Sequence, residues 1–95
     1  MIIAVDFDGT ICRNNEPNLA LINRLRAEQQ AGNIVILWTC RCGNRLIEAL
    51  NYMRRYGLIP NYVNENAPQA IRQLGQNSRK IYADVYIDDK AVRIC

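Results

Sequence analysis

A chain of 95 residues holds one domain with one modest core and leaves little length for an accessory domain or lid. Hydrophobic residues at 49% and charged residues at 22% exclude a disordered chain, and no apolar run approaches the roughly 20 residues that cross a bilayer. The formal charge of +3 rests mostly on ten arginines, too little to point to nucleic-acid binding, and the absence of histidine removes imidazole-activated nucleophiles and His-ligated zinc.

The first segment, Met1-Ile2-Ile3-Ala4-Val5-Asp6, lacks the basic region and long apolar stretch of a signal peptide. It reads as the start of the fold, and a cytoplasmic location follows as the expectation. Ile2 to Val5 is a continuous apolar run that stops at Asp6, as a buried parallel strand does. Residues 7–18 are polar and turn-rich and read as a loop or small hairpin. A helical stripe of Leu19, Ile22, Leu25 and Gln29 follows, with Gly32 as its stop. Ile34 to Trp38 is a second buried strand ending at Thr39. A second helix is expected from Asn44 as N-cap, with Leu46, Ile47, Leu50 and Met53 as its apolar stripe and Gly57 as its end. Tyr62-Val63 is a short third strand. Pro68 opens a third helix through Leu74 that Gly75 closes, and Val85 to Ile87 is a fourth strand ending at Asp88-Asp89. The alternation predicts a three-layer α/β/α, Rossmann-like domain with a mostly parallel sheet. The first strand is expected between the second and the fourth.

Ligands of such sheets bind beyond the carboxyl ends of the strands. Of five aspartates, Asp6/Asp8 and Asp88/Asp89 stand there, and Thr39 holds the same place after the second strand. Clustered carboxylates repel one another unless a cation neutralises them, and their hard oxygens favour Mg²⁺. A carboxylate at a strand end can attack phosphorus in line, and a second one two residues later can move the proton. Asp84 precedes the last strand and reads as a loop or cap residue. The cysteines at 12, 40, 42 and 95 lack zinc spacing and are expected as free thiols.

The stretch Ile3-Ala4-Val5-Asp6-Phe7-Asp8-Gly9-Thr10 resembles the first signature of haloacid dehalogenase-like phosphohydrolases. Leu37-Trp38-Thr39 is similar to their second, Lys80 to their third, and Val85-Tyr86-Ile87-Asp88-Asp89 to their fourth, in family order. The resemblance implies a phosphate monoester hydrolase, with residues 1–95 as a single core domain. It makes Asp6 nucleophile and metal ligand, and Asp8 general acid/base with its backbone carbonyl on Mg²⁺. Thr39 would bond a phosphoryl oxygen, and Lys80, with Lys90 as its rival, would offset charge. Asp88 and Asp89 would complete the metal site. Backbone N–H groups near Phe7, Asp8 and Cys40 would cradle the phosphoryl group, and Arg41 and Asn64 follow strands as further substrate contacts.

Many relatives carry a large cap, for which the intervals between motifs leave no room here. An open site suits a bulky phosphorylated substrate, nucleic acid included only as substrate, or a site covered by a neighbouring copy in a homo-oligomer. The chain ends six residues past Asp89, and the last strand of some relatives is expected to be missing. Three other readings use similar parts. A phospho-receiver domain needs an acceptor aspartate after a middle strand, and none lies between Asp8 and Asp84. A non-catalytic phosphate-binding or regulatory protein has no use for Asp8 as an acid. A phosphotransferase would use similar parts.

Overall fold

In a computed structural model the protein is described at residues 1–89 and 92–94. The strands are β1 (Ile2–Val5), β2 (Cys12–Arg13), β3 (Glu16–Pro17), β4 (Ile34–Leu37), β5 (Tyr62–Val63), β6 (Val85–Ile87) and β7 (Val92–Ile94). The helices are α1 (Leu19–Gln30), α2 (Gly43–Arg55) and α3 (Pro68–Leu74). The main sheet runs β5-β4-β1-β6-β7, parallel except for β7. As expected, β1 lies between β4 and β6.

The continuous apolar run of β1 is explained by burial on both faces. Ile3 and Val5 pack with Val35, Leu37, Ile22, Leu25, Ala49 and Met53, so one face carries α1 and α2. Ile2 and Ala4 pack with Ile36, Ala67, Ala70, Ile81 and Ala83 on the face of α3. The period of two along each strand divides the side chains between these layers. Among the described residues no helix is long and apolar enough to cross a membrane.

Several expectations are corrected. Residues 92–94 form a fifth, antiparallel strand against β6, pairing Val85 with Ile94 and Ile87 with Val92. Three residues suffice here because β6 already supplies the template. The turn-rich segment after β1 contains the small hairpin β2–β3, as expected. Leu19 and Ile47 are exposed, whereas Leu21 packs against the core and Ala49 is buried in it. The N-cap of α2 is the extended Cys42, without a side-chain cap bond, and Asn44 lies in the first turn. Gly75 closes α3 in the left-handed conformation as expected.

Candidate active site

The register sets the site. Val5 pairs with Leu37 on one side and Ile87 on the other, so three neighbouring strands end at one level. Each then delivers a polar segment: Asp6 from β1, Thr39-Cys40 from β4, and Asp88-Asp89 from β6. The junctions are tied by Asp6 N–H to Ile87 O at 2.9 Å and Trp38 N–H to Val5 O at 2.8 Å. Asp6, Trp38, Thr39, Cys40, Asp88 and Asp89 line one depression of about 350 Å³, a size that suits a small ligand.

The turn after Asp6 is tight. Phe7 O accepts from the N–H groups of Thr10, Ile11 and Cys12 at 3.0–3.2 Å. Gly9 has φ +77°, and a Cβ there would stand 2.9 Å from Asp89 Cβ. Glycine is therefore required twice, by its dihedral and by the close approach of the β1 loop to the β6 loop. Gly9→Ala should cost about 1–3 kcal/mol, a fall in Tm of very roughly 4–20 °C for a domain this small. Calorimetry of the variant checks this; an unchanged Tm would mean that Asp89 yields freely and does not fix this edge of the site.

Burial is the main cause holding the Asp6 carboxyl above the ordinary carboxylate range. Its hydrogen bond from Phe7 N–H, 2.8 Å to Oδ1, acts in the opposite direction. The negative charges of Asp89, Asp8 and Asp88 raise it further. Among the described residues no cation pairs with Asp6. Nor do three His, Cys, Asp or Glu side chains there already converge as a metal cluster, so an ion would have to draw Asp6, Asp88 and Asp89 inward. The donor set still fits one: three hard-oxygen carboxylates around one depression, one of them disfavoured as an anion by the others.

Thr39 is held by Asn64. Thr39 N–H donates to Asn64 Oδ1 at 2.8 Å, and Asn64 Nδ2 donates to Thr39 O at 2.9 Å. The left-handed φ of +52° at Asn64 turns its amide back onto that backbone. Asn64, expected at the substrate, thus holds the Thr39 backbone through its amide. Thr39 Oγ1 accepts from Arg41 N–H at 3.1 Å, which leaves the hydroxyl proton to be donated. The N–H groups of Asp8 and Cys40 have no acceptor among the described residues, whereas that of Phe7 is taken by Asp6.

Asp8 departs most from expectation. It is not among the residues lining the depression, and its carboxylate forms a two-point ion pair with Arg41, Nε to Oδ2 at 3.0 Å and Nη2 to Oδ1 at 2.8 Å. That bond, more than the attendant charge, holds the Asp8 carboxyl below the usual range. Arg41 also donates to Arg45 O at 3.2 Å and lies 4.8 Å from the Phe7 ring centroid. No spacing in the sequence signals this pair, because its members are 33 residues apart.

Lys80 is exposed and lines a different depression, with Leu74, Ser78 and Tyr86. Its segment is anchored by Asn66, which donates to Ser78 O at 2.9 Å and accepts from Tyr82 N–H at 2.7 Å. Tyr86 meets Trp38 at 5.7 Å between ring centroids, so the two depressions are neighbours. Lys90 lies outside the described residues, as does Cys95. The other cysteines, 12, 40 and 42, are free thiols. Asp84 serves the opposite end of the sheet, accepting from Ile2 N–H at 2.7 Å. Exposed Trp38 forms a wall of the site; its apolar run marked it only as a strand residue. A further hollow of about 380 Å³ between α2 and the β5 edge has Ile47, Leu50, Ile59 and Val63 among its walls and no acid.

No family model and no curated protein matches the chain. A solved structure does: a conserved protein from Bacteroides thetaiotaomicron, 38% identical, with a TM-score of 0.81 over 96% of this chain and 77% of that one.

Proposed function

We infer, for a chain that belongs to the family of the conserved Bacteroides thetaiotaomicron protein, a magnesium-dependent phosphate monoester hydrolase with Asp6 as its nucleophile. The observation that carries this reading is the depression itself. The central strand presents a carboxylate into it, beside a hydroxyl with its proton available and two further carboxylates from the next strand. Three of the four motifs similar to those of haloacid dehalogenase-like enzymes, at Asp6, Thr39 and Asp88-Asp89, fall on these same strand ends, and the one at Lys80 does not.

An Asp6 oxygen attacks phosphorus, and the bond from phosphorus to the ester oxygen breaks. Thr39 Oγ1–H and the N–H groups of Asp8 and Cys40 are the donors available to the phosphoryl oxygens. The leaving alcohol takes its proton from Asp8, and Asp8 then takes one from the water that hydrolyses the acyl phosphate on Asp6. Asp8 is ionised in its pair with Arg41, which suits the second half. The first half needs it to leave Arg41 and carry a proton. Asp6, Asp88 and Asp89, with the Asp8 carbonyl, are the residues that would hold Mg²⁺, whose charge would offset that of the phosphoryl oxygens. Lys80 is the candidate to add to that offset.

The Asp8–Arg41 pair favours one alternative, a phosphate-binding protein of the same fold without turnover. Hydrolysis of p-nitrophenyl phosphate decides between them. Turnover should require Mg²⁺, vanish on thorough chelation and return when the ion is restored. Turnover unaffected by chelation would remove the metal from this reading, and binding of phosphate without any turnover would establish the alternative.

A further inference from the structure

We infer that a second hollow, beside Asp8, is a subsite for another anionic group on the substrate, so that the preferred esters carry a phosphate or carboxylate besides the phosphoryl group transferred. This rests on the hydrolase reading for its orientation: Asp8 serves the leaving group, so whatever lies beyond Asp8 meets the leaving group. The hollow measures about 350 Å³, and Phe7, Cys12, Arg41, Glu48, Tyr52 and Arg55 are among its walls. Arg41 connects Asp8 to the hollow. It grips Asp8 through Nε and Nη2 and lines the hollow as well.

The walls carry two guanidiniums and the Glu48 carboxylate, and with Arg41 held by Asp8 it is Arg55 that stands open to an anion. Glu48, Tyr52 and Arg55 are spaced four and three residues apart on α2 and therefore share one helix face. The Arg55 guanidinium lies 5.8 Å from the Tyr52 ring centroid, as Arg41 lies over Phe7 at 4.8 Å. A guanidinium resting on a ring is restrained while its N–H edge stays available to acceptors. The ion pairs among the described residues are Arg24–Glu28 and Arg41–Asp8. Glu48 lines the same hollow yet is not paired with Arg55, which has no carboxylate partner among the described residues. Arg55 is exposed and met by water in the free protein, so its N–H edge is open to an anionic acceptor from outside. The two rings already carry cations, so a compact anionic group fits better than a flat base seeking a ring to stack on.

The test compares esters that differ only in the far group: an alkyl phosphate, the matching α,ω-alkanediol bisphosphates of graded spacer length, and the matching phosphorylated hydroxy acids. With Mg²⁺, the doubly anionic esters should show kcat/KM about 10- to 100-fold above the plain alkyl phosphate, the worth of one or two charge-assisted hydrogen bonds. Which series is preferred tells a phosphate subsite from a carboxylate one. Arg55→Ala should erase the preference through KM, leave p-nitrophenyl phosphate turnover unchanged, and be partly rescued by Arg55→Lys. Equal rates for all esters, or a loss in Arg55→Ala that extends to p-nitrophenyl phosphate, would overturn the subsite. If no ester is turned over at all, the hydrolase reading fails. The subsite is then read from calorimetric titration of an alkanediol bisphosphate. Binding weakened about 10-fold in Arg55→Ala upholds it; equal or absent binding refutes it.

Discussion

Replacing Asp6 by asparagine should end turnover and, in metal-free protein, raise Tm. The kinetic loss should be on the order of 10⁴-fold or more, because an amide cannot form the acyl phosphate and no other carboxylate takes its place at the centre of the sheet. The gain in stability comes from the same placement. Burial, with the charges of Asp89, Asp8 and Asp88, holds the folded-state pKa of Asp6 above its unfolded value. Ionising Asp6 therefore works against the fold. The wild type keeps its full stability below the unfolded carboxylate value and loses part of it as pH rises through the raised pKa. The advantage of Asp6→Asn should accordingly be absent in acid and grow across that window to a plateau. Mg²⁺ should narrow it by stabilising the wild type more than the variant. Thermal melts across pH, with and without Mg²⁺, measure all of this. An Asp6→Asn protein no more stable than the wild type at neutral pH would mean that the carboxylates are not in conflict, and the metal reading would lose its physical basis.

Asp8→Asn should have the second-largest effect, and a different one. Asp6 remains, so the acyl phosphate still forms from an aryl phosphate, whose leaving group departs with little protonation. Its breakdown should be slow, because the attacking water has lost its base. A burst of released phenol followed by a slow steady state is the expected trace. Alkyl phosphates, which need the acid, should lose about 10²–10⁴-fold in kcat. The substitution also breaks the two-point ion pair and frees Arg41. That pair is half open to solvent, so its worth to stability is small. What it contributes is present above the unfolded carboxylate pKa and is lost as pH falls through the lowered folded value. Alkyl phosphates turned over by Asp8→Asn at the wild-type rate would show that Asp8 is not the acid, and its pairing with Arg41 would become its whole role.

The sequence by itself determined the strands of the parallel sheet and the polar residues that end them. Runs such as Ile2–Val5 and Ile34–Leu37 are apolar without alternation, which only strands covered on both faces tolerate, and Gly75 and Pro68 bound α3 by backbone chemistry alone. With β1 central, the polar residues that end these runs had to meet at one edge. The runs and the helix ends are local, each depending on neighbours within a few residues, whereas the strand order that brings their ends together is set by pairings far apart in the chain. The strand at Val92–Ile94 was missed because its pairing depends on β6, not on its own pattern. The contacts that set side-chain direction were likewise decided by tertiary structure alone. Asp8 turns to Arg41, Asn64 reaches back to Thr39, Gly9 leaves the space that Asp89 takes beside it, and Lys80 stays with the α3 face instead of the depression of Asp6. The physical reason is distance along the chain. These partners are brought together by the closing of the sheet, and a rotamer is chosen by what the completed fold leaves beside it.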